Sequence, residues 1–129
     1  MTWIFSRTGM KTNRKTIGAI HEDMAAAYLK KAGFTILERN YRNRCGEIDI
    51  VAQEGRYLVF CEVKFRKSSA SGSPFSAVDL RKQHQICYTA MYYLKDHRIR
   101  EDTPVRFDVV ALTPERITLL RNAFDFSTR

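Results

Sequence analysis

The chain has 129 residues, 44% of them hydrophobic, which is the size of one ordinary domain and enough to bury a core without disulfide or metal staples. Lys and Arg total 22 against 14 Asp and Glu, giving a formal charge of +8 and a sequence pI of about 9.7; this favours polyanionic partners, nucleic acid first. Three widely spaced cysteines, Cys45, Cys61 and Cys87, argue against a disulfide framework or a zinc site, and no apolar run approaches the roughly 20 residues of a membrane span, so a reducing, cytoplasmic setting is expected.

Residues 1–15 carry Arg7, Lys11, Arg14 and Lys15 with little periodicity and read as a basic arm, expected to be mobile, ahead of a single domain over 16–129. From Thr16, read as an N-cap, the residues Ile17, Ile20, Met24, Ala27 and Tyr28 recur at helical spacing until Gly33. Glu22 falls beside Gly18, Ala25 and Leu29 on the same wheel, at the flank of the apolar stripe.

Three extended segments follow, at 34–41, 46–53 and 57–65, rich in Ile, Val, Phe and Tyr. With Glu54-Gly55 as a two-residue hairpin loop, position 53 faces 56, so Asp49 is expected opposite Phe60 and Glu47 opposite Glu62. Asp49, Glu62 and Lys64 then share one face, and a slip by one residue would separate them. The stretch 66–76 is a polar, Gly/Ser-rich loop directly after the charged strand end. Ser76-Ala77-Val78-Asp79 reads as a capping box that opens a helix to about Lys95, carrying Val78, Met91 and Leu94. Segments 105–112 and 116–121 complete the sheet as strands joined by a turn at Thr113-Pro114.

The chemistry lies in Asp49 and in Glu62-Val63-Lys64, two carboxylates and an ammonium converging from neighbouring strands. Hard cations take such oxygens, and Mg²⁺ uses one or two carboxylates while keeping several waters, with the remaining positions open to a scissile phosphate. Lys64 in that setting orients the attacking water or stabilises charge on the phosphate. Spacing alone favours plain solvent-facing residues of an amphipathic strand, but Leu58 and Phe60 stand on the same face as Glu62 and Lys64, and charge beside an apolar patch needs a reason. Glu47 is a weaker candidate for a supporting acid. His21, His84 and His97 lack metal-ligand spacing.

The segments Glu22-x-x-Ala25-x-x-Tyr28-Leu29, Arg39-Asn40-Tyr41-Arg42, Gly46-Glu47-Ile48-Asp49-Ile50, Leu58 to Lys64 with Arg66, Gly72-Ser73-Pro74, Lys82 and Arg106 to Val110 resemble, in order, the YraN-type family of bacterial proteins. That family is similar to archaeal Holliday junction resolvases and falls in the restriction-endonuclease-like superfamily with its D…E-x-K signature. The resemblance implies an α/β fold with an α-β-β-β-α-β core, a mixed central sheet flanked by helices. It implies that Asp49 and Glu62 bind the metal, Mg²⁺ or Mn²⁺, that Lys64 is catalytic, and that Glu22 adds a further acid to the metal and catalytic set. His21 departs from the glycine usual at its position. Lys82, Arg66, Lys67 and Arg42 are the candidate nucleic-acid contacts.

The function expected is metal-dependent endonucleolytic hydrolysis of DNA, branched or damaged, with a homodimer suited to cutting two strands. The alternative is a non-catalytic nucleic-acid-binding protein with a vestigial or structural metal site. A protein-interaction module, the third class, lacks the steep salt dependence of phosphate contacts.

Overall fold

A computed structural model describes residues 14–67 and 78–128, with the side chains of 14 and 15 left aside. The elements are α1 (Arg14–Lys31), β1 (Thr35–Asn43), β2 (Gly46–Glu54), β3 (Tyr57–Phe65), α2 (Leu80–Asp96), β4 (Val105–Leu112) and β5 (Ile117–Phe124). They form one five-stranded sheet in the order β1-β2-β3-β4-β5, antiparallel except for the parallel β3–β4 pair that α2 connects. This is the expected α-β-β-β-α-β core with a fifth strand appended.

The two helices cover opposite faces. On one, Ile86, Cys87, Ala90 and Tyr93 of α2 pack on Val51, Phe60, Phe107 and Val109. On the other, Ala25, Ala26 and Leu29 of α1 pack on Ile50, Val59, Cys61 and Val110. Fully burying side chains of this size contributes roughly 1.5–3 kcal/mol each for the larger ones, so the sheet is held from both sides.

The inner face of α1 differs from the expected stripe. Ile17, Ile20, Met24 and Tyr28 are exposed, whereas Ala25, Ala26 and Leu29 are buried, because small side chains let the helix lie close to the sheet. Glu22, beside Ala25 and Leu29 on the wheel, is half-buried, as its place on the flank of the helix suggests. The helix begins at Arg14, which places Thr16 inside its first turn rather than at the cap. The expected arm otherwise lies outside the described residues. In α2 the cap is Asp79, not Ser76: its carboxylate accepts the Lys82 N–H at 2.9 Å, leaving the helix to start at Leu80. Met91 is exposed and Leu94 only partly buried, and the core of this helix is Ile86, Cys87, Ala90 and Tyr93 instead. Ser76 and most of loop 66–76, residues 68–76, lie outside the described residues.

At the far end of β2 from Asp49, Glu54 accepts from Arg106 at 2.6 Å and from Arg121 at 2.9 and 2.6 Å. Arg106 in turn donates twice to the fully buried Asp108, at 2.9 and 2.8 Å. Hydrogen bonds from Arg121 and then Arg106 hold the Glu54 carboxyl at about 2, well below its usual range. A depressed carboxyl stabilises the fold above its unfolded value near 4.3 and loses that contribution as pH falls toward 2. Glu54→Gln is therefore expected to flatten the acid limb of a urea-unfolding series between about pH 4.5 and pH 2, by on the order of 1–2 kcal/mol after solvent screening. An unchanged limb would remove Glu54 from the acid sensitivity of the fold.

Candidate metal and nucleic-acid site

The site forms where β2 and β3 part. Pairing runs from Glu54↔Tyr57 to Ile50↔Cys61, so the loop is Gly55-Arg56 and Val51, not Asp49, stands opposite Phe60. The register is displaced by two positions from the expected one, with Gly55 taking the left-handed conformation at φ 59°. Displacement by two keeps side-chain parity, and continuing it one step beyond Cys61 brings Glu62, rather than Phe60, level with Asp49.

Beyond Ile50 the regular alternation of β2 is broken. Ile48 and Val51 lie in the α2-side core and Ile50 in the α1-side core, so Asp49 sits where the strand changes face. On β1 the corresponding residue is Asn40, between the partners of Ile50 and Ile48, and its φ is 54°. Asparagine tolerates this left-handed conformation, which re-aims side chains locally. The Asp49 carboxylate turns sideways and accepts the Val63 N–H at 2.8 Å, filling a ladder position of β3 with a side chain.

Glu62 is 6% exposed, and its carboxyl lies close enough to Asp49 for each to act on the other's charge. It points to the α2 side, where Gly46 lets the β1–β2 turn come against the helix: a Cβ there would lie 2.9 Å from Gln85 Cγ. Lys82 of α2 thus reaches the site, with Nζ 3.8 Å from Glu62 Oε2, and Lys64 Nζ lies 4.0 Å from the same oxygen. Burial, then the Glu62 charge, raises the Asp49 carboxyl from 3.8 to about 8, with Glu22 and Glu47 adding to the rise against the Val63 bond. Burial also raises Glu62, opposed by Lys82 and Lys64. Two adjacent carboxyls in such surroundings are a natural place for a counter-charge.

Glu22 and Glu47 form a second rank bridged by Asn40, whose amide donates to Glu22 Oε1 at 2.7 Å and Glu47 Oε2 at 3.3 Å. Arg42 reaches Glu47 Oε1 at 3.4 Å. Among the described residues no three His, Cys, Asp or Glu side chains form a ready-made cage for a metal. The donor chemistry fits a hard cation nonetheless: Asp49 and Glu62 are paired, mostly buried oxygens, and such ions accept two carboxylates with water completing the shell.

Around these acids runs a trough of three adjoining clefts. The first is lined by Gly18, Glu22, Asn40, Arg42 and Glu47, the second by Arg42, Arg44, Glu47, Lys82 and Gln85 among others, and the third by Lys64, Asp79, Arg81, Lys82 and Gln85. Of the expected nucleic-acid contacts, Arg42 and Lys82 line this trough. Arg66 and Lys67 do not, lying past the end of β3, where the Arg66 N–H donates to Leu112 O at 2.8 Å. His21 stacks on Phe65 with ring centroids 4.0 Å apart, and His97 stacks on Tyr93 at 3.8 Å; these are packing contacts. Sequence reasoning assigned no role to Asn40; an asparagine in mid-strand, a residue type suited to positive φ, was the available signal.

The family model described as "Uncharacterised protein family UPF0102" matches residues 21–112. A UPF0102 protein of Lachnoclostridium phytofermentans is 52% identical over 88% of this chain and 96% of its own length. One from Desulforapulum autotrophicum is 48% identical over 89% of this chain and 98% of its own. A solved structure, "Crystal structure of SSO0001", superposes with a TM-score of 0.44 at 17% identity, over 84% of this chain and 51% of that one, so the chain spans about half of its length. No described helix is long and apolar enough to cross a membrane. The chain belongs to the UPF0102 family, the YraN-type family that its motif order indicated.

Proposed function

We propose that this protein is a Mg²⁺- or Mn²⁺-dependent endonuclease acting on DNA, with branched or damaged DNA as the substrate class. The observation that carries the reading is the paired Asp49 and Glu62 carboxyls, Glu62 only 6% exposed, with Lys64 beside Glu62 and the clefts lined by Arg42, Arg44, Arg81 and Lys82 adjacent through Lys64 and Lys82. Buried acids usually have hydrogen-bonded cationic partners; Glu62 has lysines at ion-pair distance only.

In this reading Asp49 and Glu62 hold the cation, and the Val63 N–H fixes the Asp49 carboxylate. When bound, the divalent ion supplies fixed positive charge against the charge that develops on the scissile phosphate. Lys64 directs its ammonium to the attacking water or to a phosphate oxygen. Water oxygen bonds to phosphorus, the P–O bond to the leaving sugar oxygen breaks, and that oxygen takes a proton. The rim arginines hold flanking phosphates, which positions the strand without reading its sequence.

The test is cleavage of labelled duplex, single-stranded, flapped and four-way-junction DNA with Mg²⁺ or Mn²⁺. Metal-dependent cleavage that is lost in Glu62→Ala and Lys64→Ala, while salt-sensitive binding persists, supports the enzyme. Binding without cleavage of any of these DNAs, unchanged or tightened in Glu62→Ala, favours the non-catalytic alternative.

A further inference from the structure

Among the described residues two buried carboxylates engage basic side chains, and they are paired in opposite ways. Asp108 receives two hydrogen bonds from Arg106, at 2.9 and 2.8 Å, a closed structural pair. Glu62 has two ammonium groups near one oxygen, Lys82 at 3.8 Å and Lys64 at 4.0 Å, both beyond hydrogen-bond length. Charges left at that separation keep Coulomb attraction but forgo the short contact that normally offsets burial.

The two lysines are not equivalent. Lys64 stands on β3, whose backbone is fixed opposite Ala111 in the parallel ladder. Lys82 stands on the first turn of α2, its side chain 35% exposed, and lines both the Arg42–Gln85 cleft and the Lys64–Arg81 cleft. Its side chain borders Glu62 on one side and the trough on the other.

Resting on the nuclease reading above, we infer that Lys82 is an exchangeable counter-ion of Glu62. It neutralises the acid in the metal-free protein, leaves that oxygen when a divalent cation is held there, and then binds a phosphate of the DNA. The site is thereby kept electrostatically balanced before loading, and loading adds one phosphate contact to the trough.

The experiment is Mn²⁺ binding, followed by Mn²⁺ electron paramagnetic resonance on the full chain without DNA, for wild type, Lys82→Met, Lys82→Arg and Glu62→Ala. Removing a competing cation about 4 Å from the ligand is worth at least roughly fivefold. Lys82→Met is therefore expected to bind Mn²⁺ at least about fivefold more tightly, and Lys82→Arg to stay near wild type. In Mn²⁺-loaded protein, Lys82→Met should also lower the salt slope of duplex binding by about one. Equal or weaker Mn²⁺ binding by Lys82→Met, or an unchanged salt slope, overturns the exchange. If wild type binds no Mn²⁺, or binds it equally in Glu62→Ala, the metal reading itself falls; Glu62-dependent binding that Lys82→Met does not tighten removes only the exchange.

Discussion

On the proposed nuclease reading, Glu62→Ala is expected to lower metal-dependent DNA cleavage by about 10²- to 10³-fold, the scale on which removing one preorganised charge stabiliser acts. Asp49→Asn should match it, because the Glu62 and Asp49 carboxyls are close enough to act on each other's charge and would hold the same ion. Lys64→Ala should cost about 10²- to 10³-fold while leaving Mn²⁺ binding in place. The effects should be strongly non-additive, since the groups act as a unit. Single-turnover cleavage of the preferred substrate measures all three. A tenfold loss or less in Glu62→Ala would mean that another group carries the reaction.

Asp108→Ala is expected to cost stability on a different account, about 3–5 kcal/mol. Asp108 is fully buried, receives both Arg106 bonds, and also accepts the Asn122 N–H at 3.0 Å. Its loss strands that N–H and leaves Arg106, whose side chain is 11% exposed, with Glu54 alone. Urea unfolding should show a lower midpoint at unchanged slope. A change below about 1 kcal/mol would mean that Glu54 satisfies Arg106 unaided.

The two predictions also mark what the sequence made legible. Glu62-Val63-Lys64 could be read because Leu58 and Phe60 fix the inward parity of β3, and because parity survives a register displaced by two positions. Asp49 was found for a partly different reason from the one expected: it lies where β2 changes face and caps Val63, which no alternation pattern encodes. Asn40 was quoted within a motif but given no role, since a left-handed residue in mid-strand interrupts the period on which strand reading relies.

The inner face of α1 was misread because hydrophobic size and burial diverge there. Ile20 is 50% exposed while Ala25 is fully buried, a consequence of close helix–sheet approach rather than of hydrophobicity. Arg106 and Asp108, two residues apart on β4, were quoted within a motif but given no role. The Glu54 and Asn122 contacts that complete their network come from β2 and β5 and carry no local signature. The convergence of Asp49, Glu62 and Lys64 was thus legible from local pattern, and the groups packed around them only in three dimensions.

The central claim is that the Asp49–Glu62 pair is built for a divalent cation, and thermal unfolding with and without Mg²⁺ at pH 5 and pH 8 tests it most directly. Asp49 is raised from 3.8 to about 8 in the fold, so its contribution is fully present below about pH 4 and is lost as pH rises toward 8. The metal-free protein should therefore melt lower at pH 8 than at pH 5 on this account. Saturating Mg²⁺ should raise the pH 8 melting temperature by about 5–10 °C, raise it less at pH 5, and leave Glu62→Ala unmoved. No Mg²⁺ shift at either pH, or an equal shift in Glu62→Ala, would contradict the account.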